Sequence, residues 1–137
     1  RSGGGVRVNA GAVTLALEAL ERAPRVRAGA HRIEHAQVVL RSDLSRFARA
    51  GVVASVQPGH WGDDRQWLSA RLGDRAGVVL HPLASFARSG AAMVFGSDWP
   101  VSSWDPAEIL AGSMDRERGE EALDASEAAA WYTSGPR

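Results

Sequence analysis

Phe95-Gly96-Ser97-Asp98-Trp99-Pro100-Val101 is the stretch on which the reading of this chain turns. It follows the short apolar run Ala91-Ala92-Met93-Val94, which reads as a buried strand. A strand that stops on Gly-Ser-Asp leaves its carboxylate at the carboxyl end. In parallel α/β folds, ligands and reacting groups gather at that end. Pro100 has no N–H for a ladder, so the chain must leave the sheet there. The plain alternative for Asp98 is a turn or cap residue. A second stretch, His31-Arg32-Ile33-Glu34-His35, shifts the balance because it closes another predicted strand.

Outward from these two stretches, helices and strands alternate. Arg1–Gly5 is glycine-rich and reads as a loose terminus. The glycines precede the apolar Val6-Arg7-Val8 instead of following a strand, so the dinucleotide fingerprint is not met. Ala12–Arg22 reads as a helix, with Val13, Leu15, Leu17 and Leu20 forming its apolar face and Pro24 ending it. His31–Ala36 reads as a strand, and Ser42-Asp43 as the cap of a helix over Leu44–Ala50 closed by Gly51. Val52–Val56 is apolar or small throughout, as a strand buried on both faces should be. A helix capped by Asp63 or Asp64 runs to Leu72 and stops at Gly73. Val78–Leu80 is a further strand, and His81-Pro82 leads into a helix over Leu83–Ser89 ended by Gly90. Beyond Asp98, Asp105-Pro106 opens a helix to about Met114. Asp115–Glu121 reads as a charged surface loop. Ser126 caps a last helix over Glu127–Tyr132, and Thr133-Ser134-Gly135-Pro136 breaks it. Alternation of this kind predicts parallel strands joined by right-handed crossovers.

The bulk properties narrow the class. The chain has 137 residues, 45% hydrophobic and 23% charged, which suits a single globular domain over 1–137. Net charge is zero, so nothing electrostatic points to a nucleic-acid partner. No run approaches the roughly 18 apolar residues of a membrane span. No charged-then-apolar leader is visible, and a cytoplasmic protein is expected. With no cysteine, any metal must be held by His and carboxylate. All sixteen basic residues are Arg, which leaves no lysine for a Schiff base or a carboxylated bridge.

Four histidines are present. His31 and His35 are four apart, but the Glu precedes the second instead of following the first, so the helical zinc motif is not met. On a strand, positions 31, 33 and 35 share a face, with His35 as the last inward residue at the carboxyl edge. Arg32 and Glu34 then fall on the other face and are expected to pair with each other or with the helix layer. His60, in Gln57-Pro58-Gly59-His60, lies in a loop at the same edge, either contacting substrate or serving as an ordinary loop residue. His81 reads as the mark of a helix start. His35 and Asp98, from different strands, form part of a divalent-metal site, with Asp98 also placed to take a proton from water. Two ligands are too few, since a catalytic zinc takes about three from the protein.

Taken together these stretches resemble the carboxyl-terminal part of the amidohydrolase superfamily, in the amidohydrolase-3 branch that includes N-substituted formamide deformylases. The resemblance rests on Ala12–Glu21, His31–Gln37, Arg46-Phe47-Ala48 with Gly51–Pro58, Arg71–Ala76, Gly96–Val101 and Tyr132–Pro136, in that order. It implies a distorted (β/α)8 barrel, of which this chain supplies roughly strands five to eight. It also implies hydrolysis of amide-type C–N bonds with one or two divalent metals, zinc foremost. On this resemblance His35 is the metal-binding His that ends the sixth strand. Asp98 ends the eighth, contacts the metal or its water, and shuttles the proton; Gln57 and Pro58 end the seventh. The family's His-x-His pair and its mid-barrel carboxylate or modified lysine have no counterpart here. Val6–Gly11 stands where the fifth-strand histidine would be.

Three readings result. The first is part of a metal-dependent amidohydrolase acting on a small amide-type substrate. The second is a non-catalytic remnant or subunit half that folds by self-association or against a missing barrel half, since an open barrel leaves unpaired edges. The third is a small nucleotide-binding α/β domain, disfavoured because no glycine-rich loop follows a strand.

Overall fold

The computed structural model describes residues 4–23, 28–72 and 76–134. Helix α1 spans Gly4–Arg22 and strand β1 His31–Glu34. Strand β2 (Val38–Leu40) runs straight into α2 (Arg41–Ala50), followed by β3 (Val52–Val56). A 3-10 turn over Pro58–His60 leads into α3 (Trp61–Leu72). Then come β4 (Val78–Leu80), α4 (Leu83–Ser89), β5 (Met93–Phe95) and α5 (Pro106–Met114). A second 3-10 segment, Arg116–Glu121, precedes α6 (Ala125–Thr133).

The fold is α/β, built on a parallel sheet in the order β1-β3-β5. His31 pairs with Val52 and Glu34 with Ser55; Ala54 pairs with Met93 and Val56 with Phe95. β3 is the middle strand and is buried along its whole length, as its unbroken run of small and apolar residues requires. Helices cover the sheet with one main core. Phe47 of α2 and Phe86 of α4 meet edge to face at 4.9 Å, amid Leu17, Val39, Leu83 and Met93, all fully or almost fully buried.

The expectation of one uniformly parallel set is corrected at β4. Val78–Leu80 pairs antiparallel with β2, a strand not anticipated from the sequence, to make a separate two-stranded sheet. The cause is local. His35 and Ala36 both take left-handed backbone, φ 69° and 44°, and turn the chain out of the parallel sheet. The backbone carbonyl of Gln37 then accepts from the His81 N–H at 2.6 Å, which starts the second ladder.

Helix starts also depart from expectation. α1 begins at Gly4, so Val6-Arg7-Val8 and the two residues of Gly4-Gly5 are helical, neither strand nor loose end. At α2 the cap position is Leu40, without a side-chain bond. Arg41 N–H is already met by the Gly77 carbonyl at 2.7 Å, which frees Asp43 for another role. Buried Asp43 accepts from Thr14 Oγ1 at 2.5 Å and from Arg46 Nη1 at 2.8 Å. Arg46 also donates twice to Glu21, tying α2 to α1; that bond holds the Glu21 carboxyl below its ordinary pKa and the guanidinium above its own. α3 starts at Trp61, so Asp63 and Asp64 lie inside its first turn, where their charge suits the helix dipole. α6 is capped by Asp124, not Ser126. Asp124 and Glu127 exchange bonds at 2.8 and 3.1 Å in a capping box. Ser126 has Ala129 three residues on and has no such partner.

Several boundaries match the sequence. Gly51 and Gly90 close their helices at φ 65° and 74°. Asp105 accepts from Ala107 N–H at 2.8 Å and Pro106 opens α5. Arg1–Gly3, Pro24, Gly73 and Gly135-Pro136 lie outside the described residues. No helix among the described residues is long and apolar enough to cross a membrane.

Candidate metal centre

Three side chains converge past the carboxyl ends of the parallel strands: His35 after β1, His60 after β3 and Asp98 after β5. One ligand atom from each lies within 4.8 Å of the others. Asp98 Oδ2 is 3.9 Å from His35 Nε2 and 3.9 Å from His60 Nε2. The imidazoles stack with centroids 5.9 Å apart at 28°.

Each group arrives by a different device. β1 ends at Glu34, so His35 lies just past the strand and is aimed by its left-handed backbone instead of by strand parity. His60 closes the 3-10 turn that follows Gln57. The Gly96 N–H extends the ladder to the Val56 carbonyl at 2.9 Å, after which Asp98 takes φ 58° and its carbonyl accepts from Val101 N–H at 2.8 Å. His35 and Asp98 do not come from adjacent strands, because β3 lies between them. That intervening strand supplies His60 and makes a pair of groups into three.

From the sequence His60 reads as either a substrate contact or an ordinary loop residue, and the structure instead places it within the cluster. The available signal was its position in Gln57-Pro58-Gly59-His60, at the same sheet edge as the other two. Its side chain is only 11% exposed, whereas His35 and Asp98 open to solvent. His60 Nδ1 lies 3.0 Å from the Gln37 side-chain amide. His60 Nε2 is buried and has no hydrogen-bond partner. A buried polar atom without a partner is costly and uncommon in a folded protein.

That orphaned nitrogen is the test of fit for a cation. Two imidazoles and a carboxylate are a donor set suited to zinc. Ligand atoms around a tetrahedral zinc stand roughly 3.3 Å apart, from bond lengths near 2.0–2.1 Å. The two separations from Asp98 are 3.9 Å and the imidazole nitrogens lie within 4.8 Å of each other, so all three pairs close inward to meet that. The residues present fit the group.

His81 stands apart from this cluster. It does precede Pro82 and α4, but its ring is buried, bonded through Nε2 to Asp64 Oδ2 at 2.9 Å, and edge-on to Trp61 at 5.6 Å. Burial pushes its pKa down, opposed by the bond to Asp64. Arg32 and Glu34 pair with each other at 2.5 Å, in the open instead of in a buried layer. In the stretch read as a surface loop, Arg118 is buried. It donates to the Gly112 carbonyl at 2.5 Å and the Pro58 carbonyl at 2.8 Å, and lies 4.8 Å over the Trp61 ring. Removal from water lowers its pKa to about 10.

The sequence model of the amidohydrolase family matches residues 6–137. The chain belongs to the amidohydrolase family. Two solved structures share the architecture of this amidohydrolase chain. An uncharacterized metal-dependent hydrolase from Pyrococcus furiosus superposes with TM-score 0.78 at 30% identity, over 92% of this chain and 26% of that one. An uncharacterized metal-dependent hydrolase from Pyrococcus horikoshii OT3 gives TM-score 0.76 at 27% identity, over 92% and 27%. Protein LONG AFTER FAR-RED 3 of Arabidopsis thaliana is 36% identical over 86 residues, 62% of this amidohydrolase chain and 15% of the plant protein. The chain therefore spans about a quarter of each solved relative and less of the plant one.

Proposed function

We propose that this chain carries part of the metal centre of a hydrolase cleaving amide-type, non-peptide C–N bonds, with His35, His60 and Asp98 holding one divalent ion, zinc foremost. The buried, unpartnered Nε2 of His60 facing Asp98 carries this reading. Matches to a family of amidohydrolases and to two proteins described as metal-dependent hydrolases support it. So does the parallel sheet, which we read as three consecutive staves of a (β/α)8 barrel within a domain covering 1–137. The formamide deformylase branch is the substrate class we favour, on the sequence blocks that resemble it.

A divalent ion bound here would act as a Lewis acid and lower the pKa of a nearby water. The chain's own residues would do the rest. His60, the most enclosed, anchors one side of the site. His35, nearly half exposed, forms the mouth. Asp98 takes a proton from the water as its oxygen bonds to the carbonyl carbon. It returns that proton to the nitrogen as the C–N bond breaks, leaving a carboxylic acid and an amine.

Equilibrium dialysis of the chain against zinc, with metal counted per chain, tests the proposal. One bound ion is expected, with affinity falling at least tenfold in His60→Ala and His35→Ala. Unchanged zinc retention in both variants would sink it. A second reading, a subunit half that becomes competent only on association, is favoured by β1, which is paired on one side alone among the described residues.

A further inference from the structure

Among the described residues, Gln37 is the one side chain bonded to the inner nitrogen of His60, and it bears on which nitrogen His60 offers to the cluster. Its Nε2 is placed 3.0 Å from Nδ1, and a half-turn about the last side-chain bond puts Oε1 there instead. The backbone around it is held firmly. The Gln37 carbonyl accepts from His81 N–H at 2.6 Å, and the chain on either side enters β2 or leaves β1 through the left-handed pair His35-Ala36. The amide therefore reaches His60 from a fixed base.

A neutral imidazole has one N–H and one lone pair. If Nδ1 accepts from the Gln37 NH2, Nε2 must carry hydrogen. That places a buried donor without an acceptor, 3.9 Å from Asp98 Oδ2. If instead Gln37 presents its carbonyl oxygen, Nδ1–H donates and Nε2 turns a lone pair toward Asp98 and His35. A half-turn of the amide exchanges the two arrangements with no other movement. Only the second presents a ligand atom to a cation, and a cation held between that lone pair and the carboxylate satisfies both.

We infer that Gln37 is a positioning residue: its side-chain oxygen accepts from His60 Nδ1–H and fixes the tautomer whose Nε2 lone pair faces His35 and Asp98. The inference rests on the reading of this cluster as a metal site. It adds a residue that touches neither ion nor substrate, with partners of this kind tuning a ligand by orientation and basicity.

Two variants separate the chemistry from the packing. Gln37→Met keeps length and bulk but cannot accept the bond. Gln37→Glu can only accept, so it should preserve the tautomer. The first readout is the ring-nitrogen NMR spectrum of the metal-free chain, where a bare nitrogen and one bearing hydrogen resonate far apart. The second is zinc affinity by competition with a chromophoric chelator. In the wild type, His60 is expected to show a bare Nε2. Gln37→Met should mix the tautomers and weaken zinc roughly 10–100-fold. Gln37→Glu should hold the wild-type tautomer and stay within a few-fold in affinity. A wild-type spectrum with hydrogen on Nε2 overturns the inference, as does a Gln37→Met variant unchanged in both readouts. Loss of affinity in Gln37→Met and Gln37→Glu alike, with the tautomer unmoved, also overturns it. Failure of the wild type to bind zinc overturns the metal reading instead, since the tautomer is read without metal.

Discussion

Among the described residues, four with side chains hold left-handed backbone: His35 at φ 69°, Ala36 at 44°, His81 at 43° and Asp98 at 58°. Each costs on the order of 1–3 kcal/mol and persists only where surrounding structure insists on it. Two of the four belong to the candidate metal centre. A third, His81, starts the second ladder through its N–H to the Gln37 carbonyl. His81 also gives the protein a pH signature. Its ring is buried and its folded pKa lies below the usual histidine value, with burial outweighing the bond to Asp64. The unfolded chain therefore takes up the proton first as pH falls. Stability from this group is complete above about pH 6.5 and declines as pH drops from there toward the folded pKa. Urea melts at a series of pH values should show that decline in the wild type and a flatter profile in His81→Gln. Parallel profiles would show that His81 is not the group responsible.

At the scale of elements, the turn bearing His60 is clamped from two sides. Arg118 donates to the Pro58 carbonyl. α5 approaches so closely that a Cβ on Gly112 would stand 2.6 Å from that oxygen and 2.9 Å from its carbon. Both atoms are backbone, so they cannot step aside as a flexible side chain would. Gly112→Ala should cost about 1–3 kcal/mol, read as a lower urea midpoint. It should also weaken zinc binding, because the displaced turn carries His60. Wild-type stability would show that α5 has room to retreat. None of this was visible in the sequence, where Gly112 is an unremarked helical glycine and Arg118 one of several charges in a polar run. What could be read there was local. Gly51 and Gly90 stop helices because a left-handed close suits glycine, and Asp105-Pro106 opens one because both residues favour that end. Residues 52–56 advertise a strand buried on both sides. The missed features depend on distant partners. Three apolar residues at 38–40 pair with a strand forty residues on, and Asp43 leaves the cap for Thr14 and Arg46 because Gly77 has already filled it. His60 looked ordinary because its two companions in the cluster lie 25 and 38 positions away along the chain.

The whole molecule leaves large apolar surface uncovered around the candidate site. Trp99, Val101 and Trp104, in the segment after Asp98, are 66%, 73% and 69% exposed. On the opposite flank, β1 is paired only to β3 among the described residues. Beside it a hollow of about 500 Å³ opens between α1 and β1, reached by Ala12, Ala16, Ile33 and His35. An unpaired strand edge and a run of bare aromatics both favour association. His35 belongs to the hollow as well as to the candidate metal centre, so a partner covering that flank would stand against the candidate site. Sedimentation velocity should therefore show the weight-average mass rising above the 14.6 kDa of one chain as concentration increases. The double variant Trp99→Ser, Trp104→Ser removes the aromatic contribution and should move the distribution toward monomer. Ile33→Lys places a charge in the hollow beside β1 and should do the same by a separate route. A mass that stays at one chain across the concentration range would mean that the bare edge and the aromatic segment are both tolerated in water, and the subunit-half reading would lose its physical basis.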